Sequence, residues 1–308
     1  MKNAGILKLS VLFVLLSILI ESIGCTPVTH SSSPTAANFS ITALSETPLL
    51  EITPSVTALP TLTKSEAQAE LFQLLANNPC EFPCLWEITP GITRLNEVKN
   101  LNRLSIISDG KDVFSETGGR LFLRVPESNG TLINWYVEVD IVDGILDQTF
   151  FGTQTVREVE NGYEWVTDDP LYPQVTKGFS LSRVLSQYGE PAEVYISTMK
   201  FVPMGDPWDF DILLLYPKNH FVARYTAFVA YIQDGNIVAC PASAFSSFWL
   251  WNPSKEISTQ DIIAKHHFEE GKPINVATTM STKTFYSTFK EPDNQQCIET
   301  PQEMWPLP

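Results

Sequence analysis

Apolar and polar positions divide this chain into three textures. The first is an apolar run from Leu9 to Ile20, preceded by Lys2 and Lys8 and followed by Ser22, Ile23 and Gly24. Basic start, apolar middle and small-residue end are the order of an export signal. The run is about a dozen residues, whereas a membrane-spanning helix needs roughly twenty. The second texture, from Thr26 to about Lys64, is dominated by Ser, Thr, Pro and Ala with scattered apolar residues. Such a stretch buries too little apolar surface to offset its ordering entropy, and it reads as a tether or a glycosylated stalk. The third texture begins at Ser65, where helical and strand periodicities take over. Leu71, Leu74 and Leu75 mark the apolar face of a first helix, with Glu66 and Glu70 near its positive end.

The body contains a weak duplication. Gly91-Ile92-Thr93 precedes a helical stretch with Leu95, Val98, Leu101 and Leu104. Gly178-Phe179-Ser180 precedes a clearer helix with Leu181, Val184, Leu185 and Tyr188 at i, i+3, i+4, i+7. Thr93 and Ser180 are expected N-caps, and Gly189 with Pro191 ends the second helix. Strand-like runs follow in both copies. The first has Arg120–Pro126 and Trp135–Val142, then Asp143-Gly144 and Ile145–Phe151. The second has Ala192–Thr198, Asp209–Tyr216 and Phe221–Gln233, then Asp234-Gly235 and Asn236–Cys240. Asp-Gly between β-rich runs predicts a tight hairpin in which both turn residues take positive φ. The glycine starts lie 87 residues apart and the Asp-Gly turns 91, so order and spacing are both preserved.

The order of Gly-x-Thr/Ser, helix, Gly-x-Pro and a meander closing on an Asp-Gly hairpin resembles the β-lactamase-inhibitor-protein-like and BamE-like envelope domains. Gly178–Pro191 and Ala230–Val238 carry most of that resemblance. It implies an α+β fold of two tandem units, each with one or two helices packed on an antiparallel sheet, and a protein-binding role. The tail predicts two further helices, one capped by Ser258 or Thr259 and one by Ser281 or Thr282, the latter stopped by Pro292. The expected organisation is a signal over 1–24, a tether over 25–64, units over 65–160 and 161–255, and a helical tail over 256–308.

Composition and charge narrow the function. Of 308 residues, 44% are hydrophobic, which excludes a wholly disordered chain. The formal net charge is −15, and removing Lys2, Lys8 and Glu21 leaves −16. Such a surface repels phosphate backbones, so no nucleic-acid partner is expected. Cys25 directly follows the small residue of the signal and resembles the lipobox cysteine of bacterial lipoproteins. That resemblance implies cleavage before Cys25, acylation of its thiol and a membrane anchor on the extracytoplasmic face. Cys80, Cys84, Cys240 and Cys297 remain, an even number in a compartment where disulfides persist. They allow three pairings, of which Cys80–Cys84 and Cys240–Cys297 are favoured. The two segments containing Cys80, Cys84 and Cys297 also look like recurring segments of uncharacterised bacterial lipoproteins.

Candidate chemistry is sparse. His266 and His267 are adjacent and point apart on a helix, His30 lies in the tether, and His220 sits beside a loop before a strand. No nucleophile elbow, phosphate loop or complete thiol-metal set is present. Asp206, Asp209 and Asp211 lack the downstream carboxylate that a calcium loop requires. Glu138 and Asp140 alternate with apolar residues, as on the polar face of a half-buried strand. No catalytic residue, metal or cofactor is therefore expected. Phe245, Phe248, Trp249 and Trp251 are the densest aromatics, and Phe248, Trp249 and Trp251 are the candidate binding residues. The favoured role is a non-catalytic binding or scaffolding module for an envelope protein or ligand. An extracytoplasmic hydrolase with a carboxylate site, or a sugar or small-ligand receptor using the tryptophans, are the alternatives.

Overall fold

Two antiparallel meanders meet edge to edge in the computed structural model, which describes residues 62–76, 78, 80–107, 114–126, 130–160, 162–166, 169–200, 208–292 and 294–305. The signal, Cys25, His30, Asp206 and nearly all of the tether lie outside the described residues. The first meander is β1 (Gly118–Pro126), β2 (Thr131–Val142) and β3 (Ile145–Val159), with β4 (Gly162–Trp165) on the end of β3. The second is β5 (Glu193–Lys200), β6 (Trp208–Tyr216), β7 (Phe221–Gln233), β8 (Asn236–Ala239) and β9 (Phe245–Trp251). Strand β3 bonds to β9, so the main sheet runs β1-β2-β3-β9-β7-β6-β5 without a break. The described residues belong to one compact unit, and both meanders share one core.

Local chemistry explains most element boundaries. Asp143-Gly144 and Asp234-Gly235 join β2 to β3 and β7 to β8, and all four residues have positive φ as expected. Helix α1 (Lys64–Ala76) begins one residue before the expected start. The Glu66 carboxylate accepts from the Thr63 N–H at 2.8 Å and the Thr63 hydroxyl accepts from the Glu66 N–H at 3.3 Å, a reciprocal cap. The expected helix after Thr93 is reduced to one turn, α2 (Leu95–Val98), continued by 3-10 turns to Ile107. Thr93 is not its cap: its hydroxyl accepts from the Thr89 N–H at 2.7 Å, closing the preceding turn, and Arg94 takes the cap position. After α3 (Tyr172–Val175), the Ser180 hydroxyl does cap α4 (Leu181–Tyr188), and Gly189 at φ +79° ends it.

The inner sheet face carries the main core. Alternation puts Trp135, Val137 and Val139 of β2, Phe151 of β3, Phe210 and Ile212 of β6 and Phe248 of β9 on that face. Ala67, Leu71 and Leu75 of α1 and Leu181, Val184 and Leu185 of α4 cover it. Both favoured disulfides are present, with Cα–Cα distances of 5.7 Å for Cys80–Cys84 and 4.1 Å for Cys240–Cys297. The first closes a loop that delivers the Phe82 ring to within about 5 Å of Phe221 and Phe248, at 4.9 and 5.1 Å.

The tail departs from the expected helical appendage. It supplies α5 (Thr259–Lys265), α6 (Ile274–Ala277) and α7 (Thr282–Phe289), capped where expected at Ser258 and Ser281. It also supplies two strands, β10 (Lys272–Pro273) on β5 and β11 (Ile298–Pro301) on β8. Phe285 and Phe289 of α7 enter the inner core, and α5 covers part of the opposite sheet face. Apolar residues at 262, 263, 268, 285 and 289 need burial, and the sheet is where they find it.

Candidate functional site: an open, grooved half of the outer sheet face

The outer face is covered on one side only. On the second meander, Tyr195, Leu213, Leu215, Val222, Trp249 and Trp251 form a cluster sealed by Ile262, Ile263 and Phe268 of the α5 segment. On the first meander the outward positions are Arg120, Phe122 and Arg124 of β1, Tyr136, Glu138 and Asp140 of β2, and Gln148, Phe150, Gly152 and Gln154 of β3. Most of these are half-buried, Arg120 is exposed and Gly152 is buried; the end of α5 reaches the β3 side of this surface, where Phe150 packs against the sealed cluster and Lys265 bonds Gln148.

Strand register arranges them in rows. Phe122 pairs across with Tyr136, and Tyr136 with Gly152. Ring centroids lie 6.1 Å apart for Phe122–Tyr136 and 5.5 Å for Tyr136–Phe150. The hydroxyl end of the Tyr136 ring occupies the space that a Cβ at Gly152 would take, so the side chain reaches across β3. Its hydroxyl bonds the Ser247 side chain on β9, and burial pushes the phenol up to about 12.

Two arginines of the outer face are held in ion pairs. Arg120 donates to both Glu138 oxygens at 2.9 and 3.2 Å. Gln148 donates to Asp140 at 2.5 Å, and its carbonyl oxygen accepts from Trp249 Nε1 at 2.8 Å and Lys265 Nζ at 2.5 Å. Arg224 makes a two-pronged contact with Asp211 at 2.9 and 2.6 Å. Burial, with Asp211 nearby and only partly offset by Arg224, lifts Asp209 to about 6.

Two hollows open between these groups. One of about 360 Å³ is lined by Arg120, Phe122, Tyr136, Glu138 and Gln154. The other, about 250 Å³, lies between the sheet and the end of α5, where Asp140, Phe150 and Arg224 face Lys265, His266 and His267. Glu138 borders both. Burial, reinforced by the Arg224 and Lys265 charges, lowers His266 to about 4, so its imidazole is neutral at pH 7. His267 has φ +54° at the position after the C-cap, where the Phe268 N–H reaches back to the Ile263 carbonyl. Glycine is the usual occupant of that position.

The candidate aromatics from sequence are placed differently. Phe248 is 0% exposed and stacks on Phe151 in the inner core, while Trp249 and Trp251 point outward but are 3% and 1% exposed under α5. Lys265 Nζ sits 4.6 Å over the Trp249 ring. Trp249 borders the smaller hollow but, like Trp251, is too buried to present a ring face to a sugar. The half-buried rings of Phe122, Tyr136 and Phe150 were missed. Their signal was parity: Tyr136 stands two residues before Glu138 on the strand's polar face, an aromatic where solvent-facing groups were expected. His220 adopts a left-handed turn between β6 and β7, beside Trp251 at 6.1 Å.

Among the described residues no cluster of three or more His, Cys, Asp or Glu side chains could hold a metal ion, and no helix is long and apolar enough to cross a membrane. No known family model matches the chain, and no curated protein or solved structure is significantly similar to it.

Proposed function

We propose that this chain is an exported lipoprotein, anchored through Cys25 to the extracytoplasmic face of a membrane, whose body is a non-catalytic binding or scaffolding module. The export grammar of the first twenty-five residues supports the address, and two disulfides suit an oxidising compartment. Acyl chains on Cys25 contribute about 0.8 kcal/mol per buried CH₂, so more than one chain holds the body without a spanning helix. The two meanders are read as repeats of one helix-plus-sheet unit, fused through β3 and β9. The observation that carries the binding role is the one-sided cover of the outer face. Apolar residues of the second meander are sealed by α5, whereas the first meander leaves the half-buried rings of Phe122 and Tyr136 and a set of planar polar side chains bordering two hollows.

Mass spectrometry of the mature N-terminus tests the anchor. An acylated Cys25 is expected, and an unmodified peptide beginning upstream of it overturns the lipoprotein reading. Affinity capture from solubilised envelopes tests the module. A partner held by wild type and by the remote Glu303→Lys variant, but lost by Glu138→Lys, is the expected result. Identical capture by all three overturns the assignment of the open face.

A further inference from the structure

We propose that the grooved open face is a carbohydrate-binding cleft for an uncharged, β-linked oligosaccharide chain, an inference that rests on the binding-module reading and names its ligand. Four features of the groove point to that chemistry.

The first is the attitude of Tyr136. Because Gly152 has no side chain, the hydroxyl end of the Tyr136 ring packs over it, and the residue lines the 360 Å³ hollow. A ring presented face-on suits the C–H face of a pyranose, since its π face is electron-rich and apolar while the sugar edge stays polar. Phe122 and Phe150 extend this surface on either side, at 6.1 and 5.5 Å.

The second is charge balance. Arg120 is matched by Glu138, and Arg224 by Asp211, in two-pronged contacts. Lys265 and Asp140 are linked through the Gln148 amide. An ionic ligand at either arginine would have to break an ion pair, whereas sugar hydroxyls both donate and accept and can use the lone pairs and N–H groups left over. The planar carboxylate, guanidinium and amide groups match neighbouring hydroxyls.

The third is shape. Glu138 borders both hollows, so they are neighbouring subsites on one face. That suits a flat chain of at least two sugar rings. The large apolar side chains that are exposed, such as Ile92, Met199 and Ile232, lie in turns or near strand ends elsewhere, so this face lacks the protruding apolar anchors of a protein interface. The fourth is His267, a non-glycine residue held at φ +54° on the groove rim. Its imidazole borders the smaller hollow, where ring nitrogens can donate to or accept from a sugar hydroxyl.

Isothermal titration of the purified full chain with cellohexaose and with chitohexaose tests the proposal. Saturable binding of at least one hexamer is expected. Tyr136→Ala is expected to weaken it by at least about tenfold, equivalent to about 1.4 kcal/mol, and Tyr136→Phe to retain it. Gln154→Ala, at a half-buried rim position, is the second variant should Tyr136→Ala fail to fold, and it too should weaken binding. Retention on insoluble chitin together with hexamer binding marks a polymer as the source, and hexamer binding alone marks a free oligosaccharide. No saturable heat from either hexamer at millimolar concentration overturns the proposal, as does binding that Tyr136→Ala and Gln154→Ala leave unchanged. If envelope capture depends on Glu138 while neither hexamer binds, the carbohydrate is overturned and the binding module stands.

Discussion

The two halves of the outer sheet face follow the same strand alternation and meet different fates. On β6 the outward residues are Asp209, Asp211, Leu213 and Leu215, and on β9 Trp249 and Trp251, and the apolar members of that set are sealed by Ile262, Ile263 and Phe268. On β1 to β3 the outward residues are aromatic or planar and polar, and they stay half-exposed around two hollows. Period-two patterning alone does not distinguish a face awaiting intramolecular cover from a face kept for a ligand. The difference lies in side-chain chemistry: the leucines, valine and isoleucines of the covered half gain from complete burial, whereas tyrosine and hydrogen-bonded charges tolerate a wet surface.

Breaking the cover should give the largest effect. Phe268→Ala removes a ring that is 1% exposed and is expected to cost about 3–5 kcal/mol. Phe122→Ala in the open half should cost about 1 kcal/mol or less, as befits a surface position. Urea unfolding compares the two directly, and equal losses would erase the distinction between the halves.

The tail that provides the cover is tied down by Cys240–Cys297, which spans 57 residues, while Cys80–Cys84 spans 4. Loop-closure entropy predicts a loss of about 4 kcal/mol without the long tie and about 2 kcal/mol without the short one. Denaturation midpoints of Cys240→Ala/Cys297→Ala and Cys80→Ala/Cys84→Ala double variants provide the check, and a reversed order would mean that the local loop, which carries Phe82, matters more than the tail.

pH probes the boundary between the halves, where His266 packs against Trp249 at 5.3 Å. Its pKa is depressed in the folded state to about 4, so the unfolded chain takes up the proton first. Its contribution is complete above the unfolded value near 6.5 and is lost as pH falls from there towards 4, by at most about 3 kcal/mol. Asp209, raised to about 6, acts in the opposite sense and loses its contribution as pH rises from about 4 to 6. His266→Leu should therefore flatten the acid-side loss, and Asp209→Asn the loss on the rising side. Unfolding midpoints measured from pH 4 to 7 would show neither change if these groups do not titrate as described. The smallest effect concerns the rim: His267→Gly relieves a left-handed backbone and should raise stability by about 1 kcal/mol in urea unfolding, while lowering oligosaccharide affinity in the same isothermal titration.

Much of the fold was legible because its signals are local. The Ser180, Ser258 and Ser281 hydroxyls cap helices through bonds to N–H groups three residues away. The Asp-Gly turns need only their own backbone geometry. Thr93 misled because a hydroxyl with two possible local partners satisfied the turn behind it, at Thr89, instead of the helix ahead. Phe248, Trp249 and Trp251 misled for another reason: density of aromatics signals burial and binding alike, and alternation sends Phe248 to one core and the two tryptophans to the other. The site rings were obscure because Phe122, Tyr136 and Phe150 come from three strands, and only register makes them neighbours.

By itself, the sequence determined where the long strands of both meanders, their Asp-Gly hairpins and the serine caps form, because each depends on residues within a few positions of one another, while β9 read only as a dense aromatic run. Its cysteine count allowed three pairings, and the favoured one is present. Tertiary structure alone decided that β3 and β9 join the two meanders, that the tail folds back as strands and cover, and that one half of the outer face remains open. Those outcomes depend on which distant apolar surfaces bury one another, a competition settled by packing across the whole chain and written in no single segment of it.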